Sequence, residues 1–140
     1  MIETWRWFGP SDPVTLTHIR QAGATGIVTS LHHVSTGEAW TEADVQARCE
    51  LIRAAGLEWR VVESIPLHDD IKLRRGDLKR RIANYQQSLR AVGAAGVRSV
   101  CYNFMPVVDW TRTNLTYTLP NTAQALRFEM SDFVAYDVFM

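Results

Sequence analysis

A three-residue phrase recurs along this chain and limits what it can fold into. Ala22-Gly23-Ala24, Ala55-Gly56-Leu57 and Ala95-Gly96-Val97 each close a stretch of helical periodicity and precede a run that reads as strand. The runs are Ile27-Val28-Thr29-Ser30-Leu31, Trp59-Arg60-Val61-Val62-Glu63 and Ser99-Val100-Cys101-Tyr102-Asn103. A glycine just past a helix end takes φ > 0 without a Cβ clash, so the chain can turn back and enter the next strand. The glycines stand 33 and 40 residues apart, room for a helix, two loops and a strand.

The helix starts complete the pattern. Asp12 is expected to cap the first helix, with Pro13 at its first helical position. Thr41 opens the second, and Asp44 three residues on resembles a capping box, although Glu or Gln is usual there. Val45, Cys49 and Ile52 make one apolar stripe along it. A third helix is expected from about Asp77 to Ala94, with Ile82, Tyr85, Leu89 and Val92 on one side. Ahead of them all, Thr4–Phe8 is rich in strand-forming aromatics. Strict alternation of strand and helix implies parallel strands with right-handed crossovers. A doubly wound sheet and a (β/α)8 barrel both begin this way. No GxGxxG or GxxxxGK[ST] follows any strand, so a nucleotide-binding version has no support. Four strands would be half of a barrel, which needs roughly 250 residues when complete.

After Asn103 the alternation loosens. Tyr117-Thr118-Leu119 and Ala125-Leu126-Arg127-Phe128 flank Pro120-Asn121 and read as an inserted hairpin. A fourth helix starts near Ser131 and reaches Phe139-Met140 with no capping glycine or following strand, as if cut within an element. The expected fold class is therefore α/β, the amino-terminal half of a barrel: about four parallel strands, three to four helices and a hairpin insertion. Residues 1–140 are read as a single incomplete domain. Such a half-barrel leaves part of its inner sheet face uncovered, and poor stability in isolation is expected.

Fifteen basic residues balance fifteen acidic ones, which argues against a nucleic-acid surface. The densest basic cluster, Lys72, Arg74, Arg75, Lys79, Arg80 and Arg81, is interrupted by Asp77 and reads as a solvated loop and helix face. No run approaches the ~18 apolar residues of a membrane span, and Met1–Gly9 lacks the character of a secretory signal. Cys49 and Cys101 form no CxxC and read as buried free thiols of a reducing cytoplasm.

In parallel α/β folds the working groups collect at the carboxyl ends of the strands. Those ends carry Trp7-Phe8-Gly9, Leu31-His32-His33, Glu63-Ser64 and Asn103-Phe104-Met105, and the last three bring polar groups to one rim. In an extended segment His32 and His33 point to opposite faces, so one metal could not readily take both. One of them suits a substrate hydrogen bond; a structural role fits equally. Glu63 ends an apolar strand, where an unpartnered carboxylate is costly, so it serves either function or an ion pair with a neighbouring strand. Asn103 suits a hydroxyl or carboxylate through its amide. His68, Asp69 and Asp70 are the one close cluster of hard-metal or acid–base residues, and they read as a surface loop before a site. The five tryptophans are scattered, with packing the default role for each.

The residues themselves carry a resemblance. Thr4-Trp5-Arg6-Trp7-Phe8-Gly9-Pro10, Arg20-Gln21-Ala22-Gly23-Ala24-Thr25-Gly26, Leu31-His32-His33, Val61-Val62-Glu63-Ser64, Ile82-Ala83-Asn84-Tyr85-Gln86-Gln87 and Val100-Cys101-Tyr102-Asn103-Phe104-Met105-Pro106 closely resemble the mannonate dehydratase family. Asp109-Trp110-Thr111-Arg112-Thr113 and Ala125-Leu126-Arg127-Phe128 continue the likeness, which spans essentially the whole chain.

The resemblance implies a xylose-isomerase-like (β/α)8 TIM barrel and a cytoplasmic hydro-lyase of hexuronate catabolism. That family dehydrates D-mannonate to 2-dehydro-3-deoxy-D-gluconate with manganese or ferrous iron. The chain resembles only about the first third of those proteins, so the metal ligands and the acid–base residues are expected beyond Met140. By resemblance and strand position, Trp7, His32, Glu63 and Asn103 would supply the substrate-facing rim, with no metal held by this chain alone. The implied partner is a sugar acid, with neither nucleic acid nor membrane, and a homo-oligomer is allowed. Two other readings stand beside this one. The first is a non-catalytic half-barrel that self-associates or binds a sugar acid; the second is a related TIM-barrel sugar isomerase or epimerase.

Overall fold

The computed structural model describes residues 1–105 and 110–139, so Pro106 and Asp109 of the resembling runs lie outside the described residues. These residues fall into two compact units, Met1–Phe104 and Met105–Met140.

In the first unit the strands β1 (Thr4–Arg6), β2 (Gly26–Thr29), β3 (Glu58–Val62) and β4 (Ser99–Val100) form one sheet in the order β1-β2-β3-β4. Every pairing is parallel. Neighbours in sequence are neighbours in the sheet, the order of the first four strands of a (β/α)8 barrel. The crossovers carry α1 (Leu16–Gln21), α2 (Glu42–Ala54), then α3 (Asp69–Lys72) with α4 (Leu78–Ala94). Register separates the two faces of the sheet. Trp5, Ile27 and Trp59 share one row and Thr29 and Val62 another, whereas Arg6, Val28 and Val61 alternate to the opposite side. The core is built on the first face from Ile19, Ile27, Val45, Ile52, Trp59, Val62 and Val92. Val28 and Val61, on the opposite face, stay half-buried.

The recurring glycine behaves as the sequence predicts. Gly23, Gly56 and Gly96 have φ of +91°, +75° and +86°. Each follows an alanine that caps a helix. After α2 the Gly56 amide donates to the Arg53 carbonyl at 2.8 Å and Leu57 to Ile52 at 3.2 Å. After α4 the Gly96 amide donates to Gly93 at 3.0 Å and Val97 to Val92 at 3.2 Å. This is the paired return bond of a Schellman ending, and its hydrophobic contact comes with it. Ile52 with Leu57, Val92 with Val97, and Ile19 with Ala24 are all core residues. After α2 and α4, helix ending and core packing are thus one event.

Several local expectations change. The first helix starts at Leu16, capped by Thr15, whose hydroxyl accepts from the His18 amide while His18 Nδ1 accepts from the Thr15 amide. Asp12 instead closes a turn ahead of it, accepting from the Phe8 amide at 2.8 Å and the Val14 amide at 2.9 Å. Thr41 does cap α2, and Val45, Cys49 and Ile52 are buried along it. The shorter Asp44 carboxylate accepts from the Thr41 hydroxyl at 2.6 Å, in place of the backbone contact of a full capping box.

On α4 the buried line is Ser88, Ala91 and Val92, with Tyr85 half-buried; Ile82 and Leu89 remain exposed. The helix is turned towards the β2–α2 connection by polar bonds that periodicity does not register. Ser88 Oγ accepts from the Trp40 amide at 2.9 Å, and Asn84 donates to the Gly37 carbonyl at 2.9 Å. Arg81 donates to the same carbonyl and to Glu38, whose carboxyl this bond holds below its usual range. His68, Asp69 and Asp70 belong to the start of α3, where His68 Nδ1 accepts from the Asp70 amide and Asp70 accepts from the Asp77 amide. Both thiols are free, and Cys49 is buried while Cys101 is half-buried.

The second unit holds an antiparallel pair, β5 (Asn114–Thr118) and β6 (Gln124–Arg127), and α5 (Met130–Phe139). The hairpin and last helix stand where the sequence places them. No described helix is long and apolar enough to cross a membrane.

The glycines offer a test with opposite signs. Nothing lies within 4 Å of a Cβ added at Gly96 or Gly93, so substitution there reads backbone preference alone. Gly96→Ala forces a left-handed alanine and costs about 1–2 kcal/mol. Gly93→Ala, in the last turn of α4, gains about 0.5–1 kcal/mol. Urea unfolding of both variants should move the midpoint down and up respectively; shifts of the same sign would contradict the assignment of the turn.

Candidate functional site

The carboxyl ends of β1, β2 and β3 meet around a few polar side chains. Arg6 shares the inner face with Val61, and Glu63 continues that alternation beyond the end of β3. Arg6 Nη1 stands 3.8 Å from Glu63 Oε1, reaching across β2, so the partner comes from the strand beyond the neighbour. The Arg6 guanidinium also lies over the Phe8 ring at 4.7 Å, and Phe8 in turn faces His32, with ring centroids 6.0 Å apart. A line of contacts thus runs Glu63, Arg6, Phe8, His32.

His32 and His33 do not alternate across a strand. β2 ends at Thr29, and the Val34 amide donates to the Leu31 carbonyl at 3.1 Å, which makes the two histidines the middle of a tight turn. Both therefore line one open cleft of about 470 Å3, together with Phe8, Asp44, Arg48 and Leu51. His33 Nε2 is 3.9 Å from the Asp44 carboxylate. Partial burial comes first among the causes that hold the His32 imidazole below its ordinary value near 6.5. The charges of Arg48, Arg6 and His33 add to it, and Asp12 opposes. The neutral form of His32, with one ring nitrogen to donate and one to accept, is thereby favoured.

The other expected rim residues separate. Trp7 is 3% exposed and belongs to the core, because it lies on the helix-facing side of the sheet. Its carbonyl accepts from the Thr29 hydroxyl at 2.6 Å, while its indole N–H has no partner among the described residues. Trp7 therefore supports the rim from beneath. Asn103 is half-buried three residues past β4, where regular strand has ended. Among the described residues no hydrogen bond or ion pair joins it to His32 or Glu63. Nor does any group of three His, Cys, Asp or Glu among them come close enough to hold a metal ion.

Two arginines of the site escape the sequence reading. Arg48 is 7% exposed, donates to the Ser30 carbonyl at 2.8 Å and lies 5.3 Å over the Trp7 ring. Its signal was present: Val45, Arg48, Cys49 and Ile52 follow the i, i+3, i+4, i+7 spacing, which puts an arginine in an apolar stripe. Arg6 directly precedes Trp7, which places it on the inner face once Trp7 is assigned to the core.

His32 gives a pH dependence with a definite sign. Its folded value lies below its unfolded value, so below pH ~6.5 the unfolded chain takes up a proton that the folded chain resists. The contribution is full above pH ~6.5 and is lost as pH falls towards the folded value. Comparing wild type with His32→Gln by urea unfolding at pH 7.5 and 5.5 should show the wild type losing more stability on acidification. Equal losses would contradict the environment assigned to His32.

Comparisons with known proteins point to one family. The family model described as D-mannonate dehydratase (UxuA) matches residues 1–138. The chain is 62% identical to a mannonate dehydratase of Saccharophagus degradans, over all of its own length and 35% of the relative's. It is 57% identical to one of Chromohalobacter salexigens, over all of its own length and 36% of the relative's. A crystal structure of mannonate dehydratase from Streptococcus suis superimposes with a TM-score of 0.89 at 46% identity, covering 95% of this chain and 38% of that one. The chain spans about a third of the length of the curated relatives that it matches. With four parallel strands in barrel order and a family match that runs almost end to end, the chain belongs to the mannonate dehydratase family.

Proposed function

We propose that this chain supplies the amino-terminal strands and the substrate-facing rim of a D-mannonate dehydratase, and that on its own it does not turn substrate over. The observation that carries the reading is the placement of His32 and Glu63 beside Arg6 and Phe8 at neighbouring strand ends, within a family match over residues 1–138. The reaction is an elimination. A base removes the proton beside the carboxylate, the neighbouring hydroxyl leaves, and the resulting enol becomes the ketone of 2-dehydro-3-deoxy-D-gluconate.

Against that chemistry this chain binds and orients. Neutral His32 donates one hydrogen bond and accepts another at substrate oxygens. Glu63, held by Arg6, accepts from a hydroxyl, and Asn103 offers its amide from the next strand end. Trp7 fixes the strand under this rim by packing. The manganese or ferrous iron implied by the family would supply Lewis-acid chemistry when bound. The described residues give no set of ligands that fits it, so no step here runs through it. The proposed place of action is the cytoplasm, in hexuronate catabolism. The outer edges of β1 and β4 carry no strand among the described residues and are where the remaining strands, or a second chain, would pair.

A chimera tests the proposal. This chain should replace the first 140 residues of the Saccharophagus degradans relative with retention of D-mannonate dehydration. In that chimera His32→Gln and Glu63→Gln should each lower kcat/KM by about tenfold or more, the scale of one or two lost polar contacts. A folded chimera without activity, or variants that leave kcat/KM unchanged, would sink the assignment.

A further inference from the structure

Arg48 is a charged residue in a place built for an apolar one. It sits on the buried stripe of α2 between Val45 and Cys49 and is 7% exposed. Burial is the one cause acting on its own pKa, and it lowers it. No carboxylate among the described residues pairs with it; its contacts are the Ser30 carbonyl at 2.8 Å and the Trp7 ring at 5.3 Å. A buried cation held by a carbonyl and a π face is costly compared with an isosteric apolar side chain. Packing alone does not account for it.

Its surroundings show what the charge faces. A Cβ built on Gly9 would lie 3.5 Å from Arg48 Nη1, 3.7 Å from Arg48 Nη2 and 3.6 Å from His32 Nδ1. The guanidinium and the imidazole therefore flank the same side of Gly9, at the mouth of the cleft they both line. Ser30, whose carbonyl Arg48 holds, lies two residues before His32 and immediately before the Leu31–Val34 turn. Ser30 is also tied on its other side, its hydroxyl donating to the Ser64 carbonyl at 2.9 Å.

We propose that Arg48 is a positioning residue for His32: it fixes the strand end from which His32 projects and faces the imidazole with a positive charge that no carboxylate cancels. The effect is to present His32 as a neutral hydrogen-bond partner at the rim. The other groups around His32 are Arg6 from β1, Asp12 from the β1–α1 connection, His33 beside it, and Asp44 from α2. Asp12 is the acid that acts on His32 directly, whereas Asp44 is engaged by the Thr41 hydroxyl and approaches His33. Burial acts most strongly on His32, and among the charges those of Arg48 and Arg6 come before the opposing Asp12. The inference rests on the proposed rim role of His32 only for its bearing on substrate.

The test is an NMR titration of the His32 imidazole in the 140-residue chain, in wild type, Arg48→Gln and Arg48→Met. Arg48→Gln keeps a donor for the Ser30 carbonyl and removes the charge, so the His32 midpoint should shift upward while the amide signals of Ser30–His33 hold their positions. Arg48→Met keeps the volume and removes both, so the midpoint should rise and those amide signals should move as well. If both variants titrate with the wild-type midpoint and only stability falls, Arg48 is a structural residue and the proposal is overturned. The titration reads no turnover, so its failure would leave the dehydratase reading standing, and an inactive chimera would leave this one standing.

Discussion

Parallel strands cannot pair through a tight hairpin; each needs a crossover that returns the chain to the same end of the sheet. Here every return from α1, α2 and α4 passes through one left-handed glycine. In the two complete cases the same bonds that end the helix press a residue five positions on into the core, Leu57 against Ile52 and Val97 against Val92. Strand entry, helix ending and core formation are therefore fixed together. That coupling sets the register in which Arg6, Val28 and Val61 share the inner face, and so decides which side chains reach the rim.

The rim is held from below and from the side. Trp7 and Arg48 lie beneath the turn that carries His32 and His33, and Ser30 links that turn to the segment after β3 through the Ser64 carbonyl. From the other side α4 clamps the β2–α2 connection through Ser88, Asn84 and Arg81. A loop that carries candidate binding residues is thereby placed by rigid elements, as precise positioning requires. The clamp also accounts for a face of α4 that exposes Ile82 and Leu89 while burying Ser88.

Much of this was legible in the sequence because it depends on local spacing. The glycine phrase, the Thr41 cap, the Val45–Cys49–Ile52 stripe, the hairpin and the last helix follow from periods and caps, and the family followed from matched runs. What was missed depends on polar bonds between distant residues or on small competitions between caps. Thr15 outcompeted Asp12 as the cap of the first helix because its partner His18 completes a reciprocal pair. His32 and His33 were read as extended, although the chain leaves the strand two residues earlier. Trp7 was read as rim because the position of a residue along a strand does not tell which face it takes; its neighbours on the core side do. Arg48 broke an apolar stripe and was the clearest unread signal. Asn103 lies beyond the regular part of β4, where alternation no longer guides placement.

The central claim is that this chain carries the frame and rim of a mannonate dehydratase but not the groups that perform the elimination. The direct measurement is D-mannonate dehydration by the purified 140-residue chain with manganese, following the 2-keto product. The account predicts no turnover. Metal-dependent formation of 2-dehydro-3-deoxy-D-gluconate would contradict it and would place a working catalytic set among His32, His33, Glu63 and His68.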